Sequence, residues 1–206
     1  MYADLKFYLG VFLTSILLII SNGLKAQENW ELAKENDGIK VFTRTSKDSN
    51  FKDAKALADI NASLDEVLNL LMDVKSHKSW MDRIEVSDLV EHSSDSNFVV
   101  YYQVKAPWPV SNRDVVSHYI IKRVARNKVK LIVKGRPEKV PEKEGLVRIK
   151  SANSVWEILE NENGRVSIVL ITQSDPGGNI PAWLANSAAS DNPYKTLMGL
   201  KAKVED

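Results

Sequence analysis

Residues 173–183 read QSDPGGNIPAW, and this stretch marks the boundary between two kinds of structure. The preceding run, RVSIVLITQ at 165–173, is apolar on both faces of a strand and rich in Val, Ile and Thr. Such side chains are stiff at χ1 and suit a pleated, largely buried strand. We therefore expect a core strand to end where this stretch begins.

The stretch itself contains the residues of a strand-to-helix turn. Pro176 cannot donate to a sheet ladder, and Gly177 and Gly178 can take positive φ without steric cost. Asn179 stands where a helix N-cap is expected, and Pro181 falls in the first helical turn. On local grounds this is a turn, and its position suggests in addition that motion of the following helix would concentrate at the two glycines.

Upstream, two short helices are predicted. Residues 29–35 place Trp30 and Leu32 toward one side, and the Asn-Asp-Gly sequence at 36–38 is typical of a helix end. Ser63 and Glu66 have the spacing of a capping box, with apolar residues following at helical intervals.

Most of the remaining chain alternates between apolar and polar residues, which predicts strands. They lie at 39–44, 51–60, 84–89, 98–105, 114–124, 129–133, 146–151, 154–159 and 166–173. Strands joined by short turns form an antiparallel sheet, which needs one face covered. The final segment, from Trp183 to Val204, has one apolar face and a kink expected near Pro193, and it is the predicted cover. The fold class is therefore α+β.

The N-terminus resembles an export signal. Residues 7–20 are mostly apolar but shorter than the ~20 residues that span a membrane core. Ala26 is a plausible cleavage position, so we expect a signal peptide at 1–26 and a single domain at 27–206. Export places the protein in the periplasm or outside the cell. An uncleaved anchor remains the alternative.

Charge and composition narrow the function. Residues 1–26 carry Lys6, Lys25 and Asp4, so their removal brings the formal net charge from +1 to zero. A neutral domain disfavours nucleic-acid binding, which depends on phosphate neutralisation. The absence of cysteine excludes disulfides, thiolate metal sites and a cysteine nucleophile.

Several motifs occur in an order that resembles one family. They are Trp30 with Gly38 to Phe42, Leu71 to Asp73 with Trp80-Met81, Asn112-Arg113-Asp114, Gly145 to Arg148, Trp156, and Gln173 to Pro181. Together they cover roughly residues 29 to 203. The chain is similar to the steroidogenic-acute-regulatory-related lipid-transfer (START) family.

The resemblance implies a helix-grip fold, a curved antiparallel sheet wrapped around a long C-terminal helix with an internal apolar tunnel. It also implies that the tunnel binds a lipid or similar hydrophobic molecule, with carriage between membranes as a further step. We expect no cofactor, no metal site, no nucleic-acid partner and a monomer that contacts membranes transiently. Neither His77, His92 nor His118 has metal-ligand spacing, and chance placement is expected for the first two.

The ligand-binding residues are hypotheses at this stage. Sterol carriers of this family place an acid in the strand before Arg113 and a base at the position of Tyr119, whereas residues 98–103 contain no carboxylate. Neutral hydrogen bonds inside an apolar space are the expected substitute. The predicted cavity residues are Tyr101, Tyr102, Gln103, Tyr119, Trp156, Gln173, Trp183, Leu184 and Ala188.

Other residues are assigned structural roles. We expect Asp114 to accept from backbone N–H groups or to pair with Arg113, fixing the loop over the sheet, with direct contact to a ligand headgroup as the alternative. The motif residues of the junction are Asp175, Pro176, Gly177, Gly178 and Pro181. Trp108 and Trp183 are placed to touch either the ligand or a membrane surface.

The alternative function is an enzyme on the same scaffold, of cyclase or dehydratase type, acting on a polyketide-like or acyl substrate. That chemistry needs an acid or base inside the cavity. The sequence shows no catalytic constellation, so we expect a binding protein. A partner-binding protein with a vestigial cavity is a third possibility.

Overall fold

The computed structural model describes residues 29–47, 49–178 and 180–205. The predicted signal peptide at 1–26 lies outside the described residues and stays a prediction. Asn179 also lies outside them, but the N-cap role predicted for it belongs to Pro181.

Within the described residues, ten strands form one sheet with the order β1-β2-β3-β10-β9-β7-β6-β5-β4, in which every neighbouring pair is antiparallel. The short strand β8 adds a parallel pair with β6. The strands are β1 (Glu31–Asn36), β2 (Ile39–Thr45), β3 (Lys52–Ile60), β4 (Ile84–Ser94), β5 (Asn97–Val104), β6 (Arg113–Ala125), β7 (Lys128–Gly135), β8 (Val147–Arg148), β9 (Ser151–Glu160) and β10 (Val166–Asp175).

In the part of the chain that the structure describes, three helices accompany the sheet: α1 (Leu64–Met72), α2 (His77–Trp80) and α3 (Ala182–Val204). Single 3-10 turns occur at Val74–Ser76 and Pro137–Lys139. The curved antiparallel sheet gripping a long C-terminal helix confirms the predicted α+β helix-grip fold.

The capping box of α1 is present as predicted. The Ser63 hydroxyl accepts a hydrogen bond from the Glu66 backbone N–H at 3.3 Å, and the Glu66 carboxylate accepts from the Ser63 N–H at 2.8 Å. These bonds satisfy two donors that a helix start leaves free.

The helix predicted at 29–35 is wrong, because residues 31–36 form strand β1. This strand pairs with β2, and Asp37-Gly38 turns between them with φ of 52° and 76°. Two consecutive positive φ values are typical of a tight hairpin turn, which supplies the backbone bonds that a short helix lacks.

The Trp30 ring lies against the Arg44 guanidinium and the Lys55 ammonium, at 4.5 and 4.8 Å.

The core lies between the concave face of the sheet and the C-terminal half of α3. Leu197 and Leu200 of this helix are fully buried, together with Ile39, Val41 and Ile158 from the sheet. Pro193 lies inside α3, which continues to Val204.

Gly199 lets α3 approach α2 closely. A Cβ atom at this position would lie 2.0 Å from the carbonyl oxygen of Trp80 and 3.0 Å from its carbonyl carbon. Because both atoms belong to the backbone, a side chain here must displace a helix.

We predict that Gly199→Ala destabilises the protein. In a free helix this change would stabilise by about 1 kcal/mol. Here the clash with backbone reverses the sign, and we expect a loss of about 2 kcal/mol in the free energy of unfolding. Urea unfolding measures it, with Ser187→Ala on the exposed face of the same helix as the control. An unchanged or increased stability of Gly199→Ala would contradict the close contact.

Candidate ligand-binding cavity

A cavity of about 390 Å³ lies between the sheet and the N-terminal half of α3. This volume is within the ~300–1,000 Å³ range of small-molecule sites. Most of the wall is apolar: it includes Val104, Val115, Val133, Trp156 and Leu170 from the sheet, and Leu184, Ala185, Ala188 and Ala189 from the helix.

Strand β6 shows how the sheet divides side chains between its two faces. Arg113, Val115, Ser117 and Tyr119 line the cavity. Because successive side chains of a strand alternate, Asp114 projects to the opposite face. Arg113 and Asp114 therefore do not form a pair.

Five of the nine predicted cavity residues lie on the cavity wall. They are Tyr102, Tyr119, Trp156, Leu184 and Ala188. Their contact with a ligand stays a prediction.

Tyr101 and Gln103 are predicted in the cavity but lie on the other face of β5. Tyr101 packs with Val99 and Val116 in a separate apolar cluster. The Gln103 amide donates to the Tyr101 hydroxyl at 3.3 Å. Only alternate residues of a strand share a face of the sheet. Because Tyr102 faces the cavity, Tyr101 and Gln103 must face away from it.

Gln173 and Trp183 are the other two placements that need correction. The Gln173 amide donates to the Asp53 carboxylate at 3.1 Å, whereas its neighbour Thr172 lines the cavity. Trp183 is 73% exposed, while the next residue, Leu184, turns inward.

His77 lies behind the cavity wall, a place that the sequence did not reveal. It is fully buried in α2, whereas chance placement in the loop after α1 is the expectation from sequence. Its Nε2 lies 3.0 Å from the carbonyl oxygen of Leu71, and its Nδ1 lies 2.8 Å from the hydroxyl of Tyr102. The Tyr102 and Tyr119 hydroxyls are 2.7 Å apart, so the three side chains form a continuous polar chain that ends in the cavity wall.

The side chains of this polar chain, His77, Tyr102 and Tyr119, are uncharged at neutral pH. Burial lowers the pKa of His77 from 6.5 to about 4, and the hydrogen bond to the Leu71 carbonyl and the nearby Asp73 offset only part of that effect. Burial also raises the pKa of Tyr119 to about 12 and the pKa of Tyr102 well above its usual value.

The lowered pKa of His77 predicts a loss of stability in mild acid. Between pH 6.5 and about 4 the unfolded chain binds a proton at His77 that the folded protein does not. The contribution of His77 to the free energy of unfolding is therefore complete above pH 6.5. It falls by about 3 kcal/mol as the pH approaches 4.

The measurement is urea unfolding at pH 7.0, 5.5 and 4.5 for the native sequence, His77→Gln and the control His92→Gln, which changes an exposed histidine near the end of β4. The native sequence and His92→Gln should lose the same stability on acidification, and His77→Gln should lose less. Equal losses in all three proteins would contradict a neutral, buried His77.

Asp114 pairs with Arg148, not with Arg113 or with backbone donors as predicted. The Arg148 Nε and Nη2 atoms each donate to one carboxylate oxygen of Asp114 at 2.9 Å. Although burial alone would raise it, the guanidinium holds the pKa of Asp114 below its usual value. The remaining Arg148 donors bind the carbonyls of Pro137, Val140 and Pro141, so this pair fastens the loop at 137–141 to the back of the sheet.

The predicted strand-to-helix junction is present and lies beside this pair. Gly177 and Gly178 have φ of 66° and 65°, and Asp175 accepts a hydrogen bond from the Gly177 N–H at 2.9 Å. A Cβ at Gly177 would lie 3.3 Å from the Arg148 carbonyl oxygen. Pro181 is the N-cap of α3 rather than a residue of its first turn. Whether the two glycines act as a hinge stays a prediction.

Charged side chains line part of the cavity. Lys52, Arg83, Lys105 and Asp82 contribute to its wall. One Asp82 carboxylate oxygen is buried, 3.5 Å from both Arg83 Nε and Lys195 Nζ, and it accepts no hydrogen bond within the described ranges.

Two features are absent from the residues that the structure describes. These residues contain no group of three or more His, Cys, Asp or Glu side chains that could hold a metal ion. Among these same residues, no helix is both long and apolar enough to cross a membrane.

Comparison with known proteins identifies the family. The START domain model matches residues 11–204. The chain is 32% identical over 178 residues to an uncharacterised protein of Pseudomonas aeruginosa, covering 86% of this chain and 88% of that protein. It is 31% identical over 172 residues to the phosphatidylcholine transfer protein of Mus musculus, covering 79% and 78%.

A solved structure agrees with these sequences. The crystal structure of a STAR-related lipid transfer protein from Xanthomonas axonopodis has a TM-score of 0.80 and 31% identity, and the match covers 86% of this chain and 99% of that one. The chain therefore belongs to the START domain family.

Proposed function

We propose that this protein binds a lipid or similar hydrophobic molecule in the cavity under α3 and carries it between membranes. The observation that carries the proposal is an apolar space left between the sheet and the alanine-rich half of the closing helix. The similarity to a phosphatidylcholine transfer protein supports the same ligand class.

The burial of alkyl groups is sufficient to retain such a ligand. Each buried methylene contributes about 0.8 kcal/mol, so ~14 methylenes contribute on the order of 11 kcal/mol. This offsets much of the free-energy cost of association, which is about 4–15 kcal/mol.

The arrangement of exposed tryptophans supports transient contact with a membrane. Trp108 is 92% exposed and Trp183 is 73% exposed. Pro107 and Leu184, which adjoin them in the chain, line the same cavity. Because indole rings favour the membrane interface, these two side chains would hold the cavity toward a bilayer.

The contacts of α3 favour motion of its N-terminal half during ligand uptake. The C-terminal half is held by the Tyr194 hydroxyl and the Lys201 ammonium, which bind Asp37 at 2.9 and 3.1 Å. The N-terminal half is bound through Asn186, whose amide oxygen accepts from the Lys52 N–H at 3.1 Å. Near the middle of the helix, Asp191 pairs with the Lys34 ammonium at 2.8 Å, so among the described residues of α3 the part before Asn186 has the fewest polar contacts. We propose that this half moves while the other half stays packed.

We propose export as the setting for this activity, because residues 1–26 have the pattern of a signal peptide. Sequencing the N-terminus of protein from a periplasmic or secreted fraction tests it. We expect the mature chain to begin at Gln27, and retention of the full chain in the cytoplasm would contradict export.

The binding proposal predicts that filling the cavity abolishes lipid retention. Ala188→Trp places a large ring in the cavity, whereas Ser187→Trp places the same ring on the exposed face of α3. Native mass spectrometry of protein purified from its source should show a lipid bound to the native sequence and to Ser187→Trp. The lipid-bound fraction should fall at least about tenfold in Ala188→Trp, because the ring displaces the alkyl chain.

Two outcomes would contradict the proposal: equal lipid occupancy in both variants, or a ligand-free native protein. A ligand-free protein that turns over activated acyl substrates would favour the cyclase or dehydratase alternative. A vesicle-to-vesicle transfer assay tests the membrane step separately, since Trp108→Ser should slow transfer and leave the bound fraction unchanged. Unchanged transfer would remove Trp108 from the membrane contact.

A further inference from the structure

The polar chain of His77, Tyr102 and Tyr119 has a fixed direction. The Leu71 carbonyl oxygen can only accept a hydrogen bond, and His77 Nε2 lies 3.0 Å from it. In the neutral imidazole one ring nitrogen donates and the other accepts. Nε2 therefore carries the proton, and Nδ1 is an acceptor.

This assignment propagates to both tyrosines. Nδ1 accepts from the Tyr102 hydroxyl at 2.8 Å, which uses the single proton of that hydroxyl. The Tyr119 hydroxyl, 2.7 Å away, must then donate to the Tyr102 oxygen. This bond uses the only proton of the Tyr119 hydroxyl. Among the described residues, no other group forms a hydrogen bond with the Tyr119 oxygen.

The Tyr119 oxygen, at the end of this polar chain, is consequently a hydrogen-bond acceptor. Tyr119 is 6% exposed and lines the cavity, and Phe98 stacks on its ring at a centroid distance of 5.0 Å. The ring is held in place, so the oxygen cannot turn to a new partner without breaking the bond to Tyr102. A buried oxygen with unused lone pairs favours a ligand that brings a donor, because an unmatched buried polar group costs free energy.

We propose that the Tyr119 oxygen accepts a hydrogen bond from the ligand, and that the cavity therefore selects lipids with a hydroxyl or amide N–H over those whose polar group can only accept. This inference rests on the proposed function and names the ligand chemistry of the same cavity. Tyr119 makes the contact, and His77 is a positioning residue that sets its direction through Tyr102.

A matched pair of probes tests the direction in which the hydrogen bonds of this polar chain run. 1-Hexadecanol and its methyl ether have the same alkyl chain, but only the alcohol has a donor. Each is incorporated at low mole fraction into dioleoylphosphatidylcholine vesicles, and the amount extracted by the delipidated protein is measured. We expect about fivefold preference for the alcohol, the size of one net hydrogen bond. If Tyr119 instead donated to the ligand, both oxygens would accept and no preference would result.

Two variants assign the preference to Tyr119. Tyr119→Phe keeps the ring and removes the acceptor, so the alcohol and the ether should be extracted equally. Tyr101→Phe makes the same change on the opposite face of the sheet and should retain the preference. Melting curves confirm that both variants are folded.

The results separate this inference from the function on which it rests. Equal extraction of both probes by the native protein overturns the inference and leaves lipid binding intact. A preference that persists in Tyr119→Phe also overturns it. Extraction of dioleoylphosphatidylcholine but of neither probe overturns the inference alone. Extraction of no lipid at all from these vesicles overturns the proposed function together with the inference.

Discussion

The packing of α3 on the concave face of the sheet is the constraint on which the rest of the structure depends. A curved sheet of this size cannot bury its inner face against itself, and one helix must cover it. The helix fits closely at its C-terminal half, where Gly199 brings it against the Trp80 carbonyl and Leu197 and Leu200 are fully buried. Toward its N-terminus, Ala185, Ala188 and Ala189 face the sheet and do not fill the space. The same helix thus supplies both the core and the cavity.

Polar groups in the two faces of the sheet have different roles. On the back, the buried pair of Asp114 and Arg148 fastens a loop, and each donor of the guanidinium is used. Removing either partner of this pair would leave the other charge buried and unpaired. The pair of Asp114 and Arg148 therefore has a structural role. On the front, His77, Tyr102 and Tyr119 remain uncharged and reach the cavity. A neutral polar chain can contact an apolar ligand without the desolvation cost of an ion.

Local sequence patterns predicted the parts of the fold that local physics determines. The capping box of α1, the strand alternation and the junction at Pro176 to Gly178 were all identified in this way. The missed strand β1 had a local signal too, because Asp37-Gly38 between apolar residues favours a hairpin turn as well as a helix end. The partners of Asp114 and His77 could not be predicted. Arg148 lies 34 residues from Asp114, and Tyr102 lies 25 residues from His77, so only the tertiary fold brings each pair together.

We propose that the space under α3 is a ligand site and not a packing defect. Differential scanning calorimetry of the protein as purified, compared with the same protein after delipidation, tests it most directly. Because a ligand that binds only the folded state stabilises it, the purified protein should melt at least about 5 °C higher, and adding back extracted lipid should restore the difference. Equal melting temperatures for the purified, delipidated and reconstituted protein would contradict the account.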